Sequence, residues 1–214
     1  MKYYKNIKVL VFDFDGVILD TSLLKSKTFY NVFKLYPNFL NKMWIFHLEN
    51  KGSSRKMQFD YLVRNLLGES GSKANKHVKK LMLVYKKKVL PRLLKAKYIE
   101  GVLKTIKFSV KKYPLYVVSN APKDEIKLII EQKKIGKYFK KIYSSMNSLN
   151  KSKILNQILE IENIPSKNLL FIGDTLKDQI SAKESKVKFV GIINNMSNYI
   201  DYGIKVNKID EIYN

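Results

Sequence analysis

Between Val118 and Val187 short apolar runs alternate with stretches of helical periodicity, and few topologies accommodate that alternation. Ile126, Ile129 and Ile130 lie at helical spacing within 123–133, as do Ile154, Leu155, Ile158 and Leu159 within 152–162. Strand–helix–strand repeats bring successive strands into one parallel sheet, because a parallel pair needs a long crossover between its members. The apolar runs at 7–12, 115–118, 169–172 and 187–193, with weaker ones at 141–143 and 204–206, are the expected strands. Residues 21 to 97 read differently. Helical patterns cover 22–35, 38–49, 54–67 and 72–90 without a convincing strand, and Gly52, Gly68, Gly71 and Pro91 punctuate them. The expectation is an α/β fold: a Rossmann-like parallel-sheet core from 1–18 and 100–214, with an all-helical subdomain inserted at 19–99. The chain returns to the core through Tyr98-Ile99-Glu100-Gly101 and a helix at 102–111.

Composition narrows the function. The chain has 214 residues, 45% of them hydrophobic, which is enough for a core, and no cysteine, which excludes disulfides, a thiol nucleophile and cysteine metal sites. The first apolar run is too short for a signal-peptide core and is cut by Asp13, and no run is long enough to span a bilayer; a cytoplasmic protein without a membrane span is expected. The formal charge of +23 resembles a nucleic-acid footprint. However, only Arg55, Arg64 and Arg92 are arginines and the lysines are spread along the whole chain, so specific nucleic-acid binding is not expected. A solvated lysine-rich surface that draws in small phosphorylated anions accounts for the charge.

Polar residues gather where such sheets place their ligands, at the carboxyl ends of the strands. The first strand runs into Asp13-Phe14-Asp15-Gly16-Val17, the second into Ser119-Asn120, and the 169–172 strand into Gly173-Asp174 with Asp178 following. Lys151 opens the helix before that last strand. Adjacent desolvated carboxylates cost several kcal/mol each unless a cation or hydrogen bonds compensate them. Clustered carboxylates favour a hard cation such as Mg²⁺, and a carboxylate can also attack phosphorus. Ser119, Lys151 and backbone N–H groups are suited to hold phosphoryl oxygens, and Gly16 lets the turn expose such groups. The chemistry this set supports is phosphoryl transfer.

The segments DFDGV, VVSNA, Lys151 and GDTLKD, in this order over residues 9–178, resemble the four motifs of the haloacid dehalogenase (HAD) superfamily in its phosphatase branch. The helical insertion resembles that family's C1 cap. The resemblance implies that Asp13 is the nucleophile and a Mg²⁺ ligand. Asp15 would be the general acid/base, with its carbonyl on the metal. Ser119, Asn120 and Lys151 would bind phosphate; Asp174 and Asp178 would complete the metal site. It also implies that a cap loop reaches the site, and in the stretch 51–55 Arg55 is the first choice for selecting substrate.

Other readings compete at single positions. Asp-x-Asp-Gly also begins a calcium loop, but Val17 and Leu19 are apolar where that loop needs ligands. Ser119 and Asn120 suit a helix cap as well as a phosphate site, and Lys153 competes with Lys151. His47 and His77 lack ligand spacing and read as surface or packed residues. The expected activity is Mg²⁺-dependent phosphomonoester hydrolysis through an aspartyl-phosphate, on a small metabolite such as a sugar, polyol or amino-alcohol phosphate, by a monomer or homodimer. A phosphomutase of the same superfamily and a non-catalytic polyanion-binding protein are the alternatives, and Asp15 argues against a dehalogenase.

Overall fold

The computed structural model describes residues 1–144, 150–193 and 201–213. Six strands form one parallel sheet: β1 (Val9–Phe12), β2 (Leu115–Ser119), β3 (Lys141–Ser144), β4 (Leu169–Gly173), β5 (Lys188–Ile192) and β6 (Ile204–Val206). Their order is β3-β2-β1-β4-β5-β6. Every residue of β1, β2 and β4 is buried, which explains why these strands read as unbroken apolar runs rather than alternating ones. The register aligns Val9 with Leu169 and Val11 with both Phe171 and Tyr116. Side chains of alternate residues therefore share a face: Val9, Val11, Tyr116, Val118, Leu169 and Phe171 form one layer of the core.

Helices complete the core unit: α5 (Val102–Ser109), α6 (Lys123–Lys133), α7 (Lys151–Glu162) and α8 (Leu176–Glu184). Ile154, Leu155 and Ile158 of α7 and Ala182 of α8 pack on the layer just described. Asn150 begins α7 by accepting a hydrogen bond from the Lys153 N–H at 3.0 Å, and Asn163 ends it in the left-handed conformation. The hydrophobic pattern did not show α8. Its buried positions are Asp178, Gln179 and Ala182, so its inward face is made of polar and small residues.

The chain divides into two compact units, Met1–Asp20 with Lys97–Asn214, and Thr21–Ala96. The second is helical throughout: α1 (Ser22–Phe33), α2 (Leu40–Glu49), α3 (Arg55–Asp60) and α4 (Gly71–Lys95). Phe29, Phe33, Phe59 and Tyr85 are buried, and the Phe29 ring stands 4.3 Å from Tyr85 and 5.6 Å from Phe59. Two boundaries differ from the sequence reading. The single helix expected at 54–67 is α3 followed by a π-helical turn over Tyr61–Leu66, where the Leu67 N–H reaches back five residues to the Leu62 carbonyl. Pro91 does not stop α4, which continues to Lys95. Burial of Val89 and Leu93 on either side of Pro91 offsets the missing backbone hydrogen bond.

Candidate active site

In the order of the strands, β2 and β4 flank β1 on opposite sides, so the chain's direction of winding reverses at β1 and leaves a crevice at its carboxyl end. Asp13 stands there. Its N–H donates to the Ile172 carbonyl at 2.8 Å, which extends the β1–β4 ladder one residue past the strand and fixes the Asp13 backbone. Phe14 is buried, and the N–H groups of Ile18 and Leu19 both donate to its carbonyl at 2.9 and 3.1 Å. Gly16, at φ 78°, donates to the Leu19 carbonyl at 2.8 Å. The result is a tight turn that holds Asp15, half-buried, two residues beyond Asp13. The chain then pairs with its own return: Leu19 bridges Tyr98 antiparallel, and the Ile99 N–H donates to the Ile18 carbonyl at 3.1 Å.

Lys151, the first residue of α7, is buried, and its Nζ lies 2.8 Å from Asp13 Oδ1 and 2.6 Å from Asp178 Oδ1. The contact to Asp178 is a well-formed hydrogen bond. The contact to Asp13 is close but poorly directed, and leaves Asp13 Oδ1 buried without a hydrogen bond. Lys153, its rival in the sequence, is exposed. Asp178 Oδ2 accepts from the Asp174 N–H at 3.3 Å, the Thr175 N–H at 3.1 Å and the Thr175 Oγ at 2.6 Å. With Thr175 Oγ accepting from the Asp178 N–H, this is a reciprocal cap on α8. Gly173 makes room for it, because a Cβ there would stand 2.4 Å from that of Asp178.

One oxygen from each of Asp13, Asp174 and Asp178 lies within 4.8 Å of the others, and all three residues are buried. Burial, helped by the neighbouring charges of Asp178 and Asp15, pushes the Asp13 carboxyl up to about 7 against the opposing pull of Lys151. Burial opposes the charge of Lys151, yet Asp13 and Asp178 together hold its ammonium above the ordinary lysine range. The two shifts express a single imbalance. Two carboxylates, Asp13 and Asp178, share one ammonium, so the lysine is over-compensated and Asp13 under-compensated. A divalent cation with oxygen ligands fits that deficit, and it fits Asp13 Oδ1, which is ion-paired with Lys151 but accepts no well-directed hydrogen bond.

The remaining residues singled out in the sequence are placed as follows. Ser119 is the buried last residue of β2, on the same edge of the sheet as Asp13; its Oγ accepts from the Ala121 N–H at 3.1 Å, and Asn120 follows it half-buried. Arg55 belongs to the helical unit, where it is the first residue of α3 rather than part of a loop. It is buried, with its guanidinium 4.3 Å from the centre of the Tyr85 ring. His47 is buried too, 2.9 Å from Ser26 Oγ, and burial pushes it down to about 4. His77 bridges Tyr36 and Glu69 at 2.6 and 3.1 Å. The sequence reading did not assign Gly173 or Thr175. The Thr-x-x-Asp spacing of a helix cap, Thr175 to Asp178, was the signal for the second.

The model of the haloacid dehalogenase-like hydrolase family matches residues 10–192. A phosphoglycolate phosphatase of Pseudomonas fluorescens (strain Pf0-1) is 32% identical over 97 residues, 43% of this chain and 35% of that protein, so the match spans about a third of the relative's length. Among solved structures, a predicted phosphatase from Clostridium acetobutylicum superposes with a TM-score of 0.72 at 21% identity over 96% of both chains. The HAD-hydrolase YfnB from Bacillus subtilis, bound to magnesium, gives 0.70 at 19% identity over 98% of both chains. At these identities the two structures share the fold.

Proposed function

The chain belongs to the haloacid dehalogenase-like hydrolase family, and on that premise we propose that it hydrolyses a small phosphate monoester through an aspartyl-phosphate. Asp13 Oδ attacks phosphorus as the bond from phosphorus to the ester oxygen breaks, and Asp15 gives its proton to that oxygen, which leaves as an alcohol. Asp15, now a carboxylate, takes a proton from water; the resulting oxygen attacks phosphorus, and Asp13 is released with inorganic phosphate. Lys151, held charged between Asp13 and Asp178, is a fixed donor to the non-bridging oxygens. Ser119 and Asn120 would contribute from the neighbouring strand end. Asp13, Asp174 and the Asp15 carbonyl would hold Mg²⁺, with Asp178 supporting them through Lys151 and Thr175. When bound, the ion neutralises charge on the phosphoryl oxygens.

The observation that carries this reading is the buried cluster of Asp13, Asp174 and Asp178, two of whose carboxylates, Asp13 and Asp178, hold the Lys151 ammonium, at the point where the sheet reverses its winding. The positive net charge supports an anionic substrate. The relative named a phosphoglycolate phosphatase supports a phosphorylated metabolite, and a sugar, polyol or amino-alcohol phosphate is the proposed class. A screen of phosphorylated metabolites with Mg²⁺, read by phosphate release, tests it. Release by the wild type and none by Asp13→Asn is the expected result. Phosphate that moves between positions of a sugar and depends on added bisphosphate would mean a mutase instead.

A further inference from the structure

The stretches 107–114 and 132–144 contain eight lysines and no acidic residue. They meet in a groove of about 470 Å³ at the amino ends of β2 and β3, the sheet edge opposite to the one that carries Asp13. Tyr113, Pro114 and Tyr138 line it, with Lys112, Lys137 and Lys140 around them. Lys140 is paired with Glu162 at 2.9 Å. The other two make no ion pair among the described residues. The Lys112 ammonium lies 4.4 Å from the centre of the Phe108 ring and that of Lys137 lies 5.4 Å from the Tyr138 ring. Phe108, 43% exposed, adds a further aromatic surface beside Lys112.

A ligand suited to this groove carries several negative charges and flat rings that stack on aromatic faces. We propose that the groove binds single-stranded nucleic acid without sequence preference. The cavity has the size of a small-molecule site, but Lys107 and Lys111 on one stretch and Lys133, Lys134 and Lys141 on the other carry the positive charge beyond it. That extent favours a polymer over a single nucleotide. Unpaired bases are required, since a duplex hides the base faces that tyrosine stacks on. No arginine lies in either stretch, so the bidentate contacts that read base edges are missing. The sequence reading expected no specific nucleic-acid binding and a solvated surface; the groove departs from that by giving part of the positive charge a use separate from the phosphatase site.

The test is fluorescence anisotropy of labelled rU and dT 20-mers with the whole protein over a salt series. Lys112→Gln with Lys137→Gln should reduce the slope of log K against log salt by about 1.4, at about 0.7 per phosphate contact on single strands. Tyr113→Ala and Tyr138→Ala should each weaken binding about fivefold or more. Phosphate release and the circular dichroism spectrum should stay as in the wild type, since none of these residues belongs to the phosphatase site. Similar affinity for rU and dT supports contacts to phosphate and base faces alone, and a preference for either identifies the polymer. An unchanged slope in the double lysine variant overturns the proposal. So does inorganic polyphosphate competing as well as the oligonucleotides with no effect of the tyrosines, or anionic lipid vesicles displacing them through the same lysines.

Discussion

Replacing Asp13 by Asn should raise the thermal stability of the metal-free protein at about pH 8, although it removes one end of a buried ion pair. The folded chain holds this carboxyl at about 7 against an ordinary value of 3.8. Below pH 4 it is protonated in both states and contributes no difference. As pH rises from 4 to 7 the unfolded chain releases the proton first, so stability falls, and above 7 the whole penalty is present. Three pH units correspond to about 4 kcal/mol. Asparagine removes that penalty, and because the attraction to Lys151 is already contained in the value of about 7, losing that ion pair subtracts nothing further. Discounted by about half for relaxation and water penetration around a buried charge, a net gain of about 2 kcal/mol raises the melting temperature by about 4–8 °C for a chain of this size. Melts followed by circular dichroism in chelator, at about pH 8 and pH 4.5, should show that gain at the higher pH and its disappearance at the lower. Added Mg²⁺ should stabilise the wild type and much less the variant, which closes the gap. A variant that melts below the wild type at about pH 8 in chelator, or a gap that does not change with pH, would refute the electrostatic account of the site.

Asp15→Asn should slow turnover of ester substrates by about 10²–10⁴-fold and spare acyl phosphates, whose leaving group needs no proton; an equal loss on both means Asp15 is not the acid. Arg55→Ala should lower kcat/KM for the best metabolite by roughly tenfold and leave p-nitrophenyl phosphate nearly unchanged, whereas equal losses would mark the Arg55–Tyr85 stack as structural. Gly173→Ala should destabilise the core by about 1–3 kcal/mol and slow turnover, because its Cβ meets Asp178 at 2.4 Å. An unchanged melting curve would show that Asp178 yields freely.

The centre of the sheet was legible because β1, β2 and β4 are buried throughout, which leaves unmistakable apolar runs such as Leu169 to Ile172, whereas the partly exposed edge strands β3 and β6 gave only weak ones. The acidic cluster was legible because carboxylates directly after such runs have few structural explanations. Helix α8 was not, since the residues it turns inward, Asp178, Gln179 and Ala182, carry no hydrophobic period. Pro91 misled in the opposite direction: a local rule ends helices at proline, and packing of Val89 and Leu93 overrode it. The double commitment of Asp178, to Lys151 on one oxygen and to the start of α8 on the other, depends on three-dimensional contact. A motif gives a residue's position but not which of its oxygens are already occupied.

The pairing of Leu19 with Tyr98 bears on how such a chain can be rebuilt. The Asp20 N–H donates to the Lys97 carbonyl at 2.9 Å, so the whole helical segment leaves and re-enters the sheet unit through one pair of adjacent backbones. Closing a loop costs free energy only as the logarithm of its length, so the segment between those two residues can be long, short or of another fold at little expense to the sheet. The core is in this sense a socket. A two-residue Asn-Gly turn joining Asp20 to Lys97 matches the antiparallel bridge already present, and a chain shortened in that way should keep the sheet and its acidic cluster while losing whatever selectivity the helices confer. Exchange of the inserted segment between related chains should leave the register of β1 and the position of Asp13 untouched, which makes the insertion the part of this protein freest to vary.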